Sequence, residues 1–478
     1  MKFNKPITSR TKTENFAGGE AFIETPKLEF ISILLTSFVQ DQYYRNEEEG
    51  IEKVVGLIDT ISDKKFLAKA AIYARTKVGM RSISHLVAAE LAKIVKGERW
   101  TKDFYNQVIY RPDDMTEIVA YYLHKYGKPI PNSLKKGLSL AFSKFNEYQL
   151  AKYKRNKASI SLVDLVNLVH PKPTAKNKVA LEKLMKGTLR SCDTWEAELT
   201  KAGQMAKDEE DKEKRKAEVW YKLIKERKIG YFALLRNLRN ILEQSPKSLA
   251  GALEMLTDER LIKNSLVLPF RFSTAIKQIE ELNVDGTREV LIALNKAVDL
   301  SLSNVPKLRG KTLVVLDGSG SMEGKPIRIG SLFAAILFKA NNADYMTFSD
   351  DAKYITLNPT DSTLSIAEMI EEGIQGGGTN FHSIFETANR PYDRIIILSD
   401  MQGWVGYDAP TKTFAEYKLR TGANPIVYSF DLQGYGTLQF PEKNVYCLAG
   451  FSDKVFDIMK LLETDRQALL TEIEKIKL

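Results

Sequence analysis

From about Thr25 to about Leu302 apolar residues recur at three- and four-residue spacing, in segments of the length usual for globular helices. The spacing predicts helices over residues 28–39, 65–76, 82–96, 116–126, 132–145 and 287–302. Breaks rich in Gly, Pro or Asn, as at 127–131 and 171–174, separate them, and period-two strands are nearly absent from this half. Helices in series with no sheet to pack on predict an all-α body in which HEAT-like pairs bury each other's faces. One large irregular helical domain is the other reading of the same pattern.

After Pro306 the pattern changes. Residues 311–317 form a short apolar, β-branched run of the kind buried on both faces of a parallel sheet. Further strands are predicted at 344–348, 393–399, 425–430 and 444–448, alternating with helices over 326–340, 364–374, 381–389, 414–421 and 453–475. This βαβ series predicts an α/β doubly wound, Rossmann-like domain whose site lies at the carboxyl ends of its strands. The expected division is therefore a helical domain over 1–305 and an α/β domain over 306–478.

Charge sharpens that division. The chain of 478 residues has a net charge of +9, made of +15 over residues 1–310 and −6 over 311–478. A basic body beside an acidic domain points to a polyanion on the first half. The two cysteines, Cys192 and Cys447, are far apart and fit neither a zinc site nor a disulfide framework, so a reducing, cytoplasmic setting is expected. No apolar signal core and no stretch of about eighteen apolar residues suggests secretion or a membrane partner.

Candidate chemistry begins at the end of the first predicted strand of the α/β part. Asp317, Ser319 and Ser321 are spaced i, i+2, i+4 in the loop DGSGS, Thr379 follows three glycines, and Asp400 ends the strand at 393–399. All three loops are expected at one sheet edge. Hydroxyls with a few carboxylates, and no His or Cys, make a hard oxygen site suited to Mg²⁺. The order of these five residues resembles the metal-ion-dependent adhesion site of von Willebrand A domains. That resemblance implies direct ligation by Ser319, Ser321 and Thr379, with Asp317 and Asp400 acting mainly through water. Catalysis is not expected: His382 opens a helix with an apolar face, and neither serine has a nucleophile elbow or a partner base.

The densest positive run is KYKRN at 152–156, followed by HPKP at 170–173 and by Lys176, Lys178, Lys183 and Lys186. Cations interleaved with Tyr, Asn and His offer phosphate contacts and planar groups for unpaired bases. The mixed-charge stretch 207–228 reads instead as a solvated helix with internal ion pairs.

KYKRN and SLVDLVNLVHPKP, with YARTKVGMRSISHLVAAELA (73–92), SLKKGLSLAF (133–142), ALLRNLRNIL (233–242) and LPFRFSTAI (268–276), resemble the Ro autoantigen family of TROVE-domain proteins. The resemblance spans roughly residues 15–470. It implies a monomeric ring of HEAT-like repeats closed by the A domain. Small noncoding Y RNA would lie on its outer surface, and single-stranded ends of misfolded RNA would enter a central hole. It also implies an RNA-tethered exoribonuclease partner, polynucleotide phosphorylase. Lys152, Arg155 and His170 match the family's Y RNA contacts, Lys135 and Lys136 sit in a matching basic segment, and Lys172 belongs to the same run as His170. Between Asn156 and Ser161 the loop departs in length from animal relatives and lacks their Gly-Trp. The expected function is a non-catalytic RNA-binding scaffold for RNA quality control; a metal-dependent protein-interaction adaptor and a metal-dependent nuclease are the rivals.

Overall fold

The structure is a computed structural model that describes residues 11–15, 18–23, 26–36, 47–154, 159–190, 194–403, 405–406, 410–433, 439, 444–449, 455–464 and 468–478. Two short strands, β1 (Thr11–Glu14) and β2 (Glu20–Ile23), pair antiparallel before the helices begin. This hairpin was not expected in the helical half.

The helical body follows the apolar spacing closely. The expected helices appear as Pro26–Thr36, Lys64–Tyr73, Ser82–Ile94, Pro112–Tyr126, Asn132–Phe142 and Thr287–Ser301. Residues 37–39 of the first expected helix lie outside the described residues. The fourth begins four residues early, with Pro112 at its first turn and Asp113 and Asp114 following. The helix at 64–73 runs on into a π-helical turn, Ala74–Val78, closed by Gly79 at φ +84°. The mixed-charge segment forms the helix Glu209–Lys225, laced by Lys212–Glu209, Lys214–Glu210 and Arg215–Asp211 pairs.

The second half holds a six-stranded sheet of β3 (Thr312–Asp317), β4 (Asp344–Phe348), β5 (Ala352–Tyr354), β6 (Arg394–Ser399), β7 (Ile426–Asp431) and β8 (Val445–Ala449), in the order β5-β4-β3-β6-β7-β8. All pairs are parallel except β4 with β5, so the sheet is mixed, with an antiparallel edge that the sequence reading lacked. Along β3, Val314 and Leu316 join the apolar core on one face of the sheet, and Leu313 and Val315 the core on the other. Ile396 and Leu398 alternate with Ile395 and Ile397 on β6 in the same way. Burial on both faces is what a continuous apolar run selects for. The expected long terminal helix is described as two, Val455–Thr464 and Ala468–Glu474.

Both ends of the helical series meet this sheet domain. On one side Pro26–Thr36 packs on β8 and Lys64–Tyr73 on Ala468–Glu474, while the Asn15 amide donates to the Gly403 carbonyl at 2.6 Å. On the other, Thr287–Ser301 packs on the helix Thr363–Glu372, and Asp299 accepts from the Thr363 backbone N–H at 2.9 Å. Helices between Trp220 and Val298 enclose an apolar core of their own, separate from the one that runs from Phe30 to Leu189 and on beneath the sheet.

Candidate functional site

Strand order reverses between β3 and β6, and a crevice opens beyond their carboxyl ends at such a point. β3 ends at Asp317, and Asp400 immediately follows β6. The DGSGS loop is fixed on both sides: Gly318 N–H donates to the Phe348 carbonyl at 2.8 Å, and Gly320 N–H to the Gly377 carbonyl at 3.2 Å. Gly377 lies at φ +117°, and a Cβ there would sit 2.5 Å from Asp350 Oδ2, so only glycine fits. Asp350 accepts from Gly378 N–H at 3.0 Å, and the Asn380 amide donates to the Asp350 carbonyl at 2.8 Å. These bonds fix the segment on either side of Thr379, and the Gly377 carbonyl joins it to the first loop.

Asp317, Ser319, Ser321 and Asp400 come together, and Thr379 lies two residues beyond the Gly377 carbonyl that binds the first loop. Asp317 Oδ1 accepts from Ser319 N–H at 2.9 Å and Oδ2 from the Ser399 hydroxyl at 2.5 Å. The Ser319 and Ser321 hydroxyls stand 3.3 Å apart. The Gln433 side chain donates to Asp400 Oδ2 at 3.3 Å and to the Ser321 carbonyl at 3.0 Å, bridging two of the loops. Asp317, Ser319, Thr379 and Asp400 are buried, and Ser321 is half-buried.

Burial, and then the charge of Asp400, pushes Asp317 up to about 7, and burial pushes Asp400 up as well. Among the described residues no ion pair neutralises either carboxylate. Nor is any group of three or more His, Cys, Asp or Glu side chains placed to hold a metal, so the case rests on the mixed set. Three hydroxyls with two uncompensated buried carboxylates fit a hard divalent cation such as Mg²⁺. His382 stands apart from this set: its ring Nδ1 lies 3.3 Å from the Thr413 hydroxyl, and Asn380 caps the helix that His382 enters.

The second candidate region lies on the helical body. Lys135 and Lys136 belong to Asn132–Phe142, Lys152 ends the helix Glu147–Lys152, and His170 caps Leu162–Val169. Asn132–Phe142 packs on Leu162–Val169, and Lys178–Met185 on both Glu147–Lys152 and Leu162–Val169, so the expected residues share one packed group. Lys136, Lys152, His170 and Lys172 are exposed and Lys135 is half-buried. Among the described residues none of them enters an ion pair. His170 holds a left-handed backbone, φ 45°, which ends its helix before Pro171. Other cations of the run serve the fold: Lys154 donates to the Leu189 carbonyl, Lys176 to the Lys144 carbonyl, and Lys183 pairs with Glu147. Arg155 lies outside the described residues.

Sequence reasoning missed Ser399, Gln433 and Asp350, which bond to the candidate residues or to the loops that carry them. Ser399 is adjacent to Asp400 and could have been suspected. The other two carry no local signal, because their partners lie 33 and 28 positions away in the chain.

The family described as "TROVE domain" matches residues 23–216 and 183–314. Telomerase protein component 1 of Mus musculus is 23% identical, the match covering 46% of this chain and 11% of that protein; that of Rattus norvegicus is 22% identical with the same coverage. The chain thus spans about a tenth of the length of these curated relatives. Among solved structures, the Ro (RSR) protein of Deinococcus radiodurans superposes with a TM-score of 0.63 at 16% identity, covering 90% of this chain and 97% of that one.

Proposed function

The chain belongs to the TROVE domain family of Ro-type proteins, and from that premise we propose that it is a non-catalytic RNA-binding scaffold. Residues 1–305 are read as a HEAT-like helical ring and 306–478 as a von Willebrand A-type domain that closes it. The meeting of both helical ends with the sheet domain supports this reading. The observation that carries the function is the group of exposed cations Lys136, Lys152 and Lys172, with the exposed His170 beside them, on elements packed together in the part of the chain with net charge +15.

On this reading small noncoding, Y-like RNA engages that outer face, and single-stranded ends of structured or misfolded RNA enter a central hole. RNA then tethers the scaffold to an exoribonuclease such as polynucleotide phosphorylase, in the cytoplasm. Phosphate contacts supply most of the affinity, with RNA shape and accessible ends giving selectivity. The test is fluorescence anisotropy on a structured RNA with a single-stranded tail. With six or more phosphate contacts, affinity should fall by about 10³-fold between 50 and 200 mM salt. Lys152→Ala and His170→Ser should each weaken binding with unfolding unchanged. Affinity indifferent to salt, or unaltered in both variants, rejects the assignment.

The oxygen-lined crevice favours a second reading, a metal-dependent adaptor for an acidic partner. Ser319, Ser321 and Thr379 would hold Mg²⁺ through their hydroxyls, with Asp317 and Asp400 balancing its charge. A bound cation would supply an open position for an outside carboxylate. Partner capture that survives ribonuclease and is lost in Asp317→Ala would favour this second reading.

A further inference from the structure

The loop that carries Asp400 is bound from two directions. Within the sheet domain, the Gln433 amide donates to Asp400 Oδ2 at 3.3 Å, and the Val405 N–H donates to the Thr379 carbonyl at 3.3 Å. Between these two bonds, the Gly403 carbonyl accepts the Asn15 amide at 2.6 Å, from a residue 388 positions earlier in the chain. Gly403 is closely packed at that point: a Cβ there would lie 2.6 Å from the Phe381 ring and 2.7 Å from Gln439 Oε1. One loop therefore supplies a candidate metal residue, touches a second, and receives the amino-terminal hairpin.

Asn15 is oriented for this bond by the turn it begins. Its N–H donates to the Gly19 carbonyl at 2.9 Å, its carbonyl accepts from Gly18 N–H at 3.0 Å, and its Oδ1 accepts from Gly19 N–H at 3.0 Å. With the side-chain oxygen held by the turn, the amide nitrogen faces the Gly403 carbonyl. Asn15, Gly19 and Ala21 are buried, so this end of the hairpin is docked. β2 then leads into Pro26–Thr36, the helix that packs on β8. The hairpin is thus the first piece of the seam between the helical body and the sheet domain.

We propose that Asn15 is a positioning residue for the metal site, so that cation binding at the DGSGS crevice and docking of the amino-terminal hairpin form one coupled equilibrium. The proposal rests on the metal-dependent reading above and adds what the ion controls, the seam on which the helical body meets the sheet. A loop whose carboxylate is tied to a cation is already ordered, so capturing its carbonyl costs less freedom. A docked hairpin in turn restrains the loop before the ion arrives. Linkage requires the two effects to be equal in size. Were the bond only a tertiary staple, it would stabilise the metal-free and metal-bound forms alike and leave affinity for the ion unmoved.

The experiment titrates Mg²⁺ into chelator-treated full-length protein by calorimetry and follows hydrogen exchange in peptides spanning β1 and β2. Asn15→Ala removes the amide. Asn15→Ser keeps an oxygen for the Gly19 N–H, as serine does in such turns, but is a bond too short to reach Gly403. Each variant should bind Mg²⁺ about fivefold or more weakly. In wild type Mg²⁺ should slow exchange in β1 and β2 by a similar factor, and in Asp317→Ala it should not. Lys69→Ala, which loosens the same seam at the terminal helix, should keep wild-type affinity for Mg²⁺. Wild-type affinity in both Asn15 variants, an equal loss in Lys69→Ala, or hairpin exchange indifferent to Mg²⁺ overturns the coupling while leaving the metal site standing. A wild-type protein that binds no Mg²⁺ overturns the metal reading and the coupling together.

Discussion

Arg75 and Asp114 meet at 2.8 Å with 4% and 0% of their side chains exposed. The same carboxylate accepts from Arg81 Nε at 3.1 Å, lies 3.0 Å from His85 Nε2, and accepts the backbone N–H groups of Tyr110 and Arg111 at 2.8 Å each. One buried side chain therefore ties the π-helical turn Ala74–Val78, the helix Ser82–Ile94 and the start of Pro112–Tyr126 together. Breaking a buried pair leaves an uncompensated charge, at a cost of about 3–5 kcal/mol. Asp114→Asn should lower the urea midpoint accordingly, and an unchanged midpoint would show that the cluster contributes no net stability.

The cluster also sets a direction for acid sensitivity. Burial alone would raise Asp114, but the His85 hydrogen bond and charge, then Arg75 and the Arg111 N–H, outweigh it and hold the carboxyl well below its usual range. A carboxylate depressed on folding stabilises fully above its unfolded value near 3.8 and loses that contribution as pH falls toward the folded value. Stability should thus drop below about pH 4 more steeply in wild type than in Asp114→Asn. Parallel acid-unfolding curves would contradict this.

Two glycines should respond to alanine in opposite ways. A Cβ on Gly137 would lie 2.3 Å from the Tyr105 Cβ, where the helix Asn132–Phe142 crosses Thr101–Val108. Neither atom can rotate away, so Gly137→Ala should cost about 1–3 kcal/mol. Gly56, inside Glu47–Thr60, has nothing within 4 Å of such a Cβ, so Gly56→Ala should gain about 0.5–1 kcal/mol. Thermal unfolding of the two variants gives both signs, and a shared sign would count against this account of the crossing.

Much of this architecture was readable from periodicity. Helices with a strong apolar face, such as Ser82–Ile94 and Thr287–Ser301, matched to within two residues. The five residues from Asp317 to Asp400 were brought to one edge because each follows a strand or a glycine turn, which are local signals. What stayed hidden was decided by distant partners. The start of Pro112–Tyr126 carries Asp113 and Asp114, polar by type yet buried, because their cations arrive from residues 75–85. The β1–β2 hairpin has four-residue strands, too short for alternation to stand out, and β5 has only three residues.

Two of the contacts that join helices to the sheet domain should differ in weight. Asp299 accepts the Thr363 N–H at 2.9 Å and hydroxyl at 2.5 Å, and the Lys339 ammonium at 3.2 Å. Lys69 donates to the Glu474 carboxylate at 2.8 Å and to the Glu474 carbonyl at 2.7 Å, and that carboxylate is 47% exposed. Asp299→Ala strips one helix N-terminus of its acceptor and leaves Lys339 without that partner, at a cost of about 1–3 kcal/mol. Lys69→Ala should cost less than about 1 kcal/mol. Hydrogen exchange should rise around residues 363–372 in the first variant and barely change in the second; equal exchange in both would refute the ranking.

The metal proposal yields the sharpest contrast, because removing a carboxylate should help one state and harm the other. Without a cation, Asp400 and Asp317 are two buried like charges, and Asp400→Asn relieves their repulsion while Asn Oδ1 can still accept from Gln402 N–H. Metal-free Asp400→Asn should therefore unfold at a temperature no lower than metal-free wild type. With Mg²⁺ at about a hundred times its Kd, wild type should gain about 2.7 kcal/mol by mass action. The variant should gain almost nothing, having lost half of the charge that balances the ion. A full Mg²⁺ increment in Asp400→Asn would place the ion elsewhere, and no increment in wild type would leave the hydroxyl and carboxylate loops as a purely structural junction.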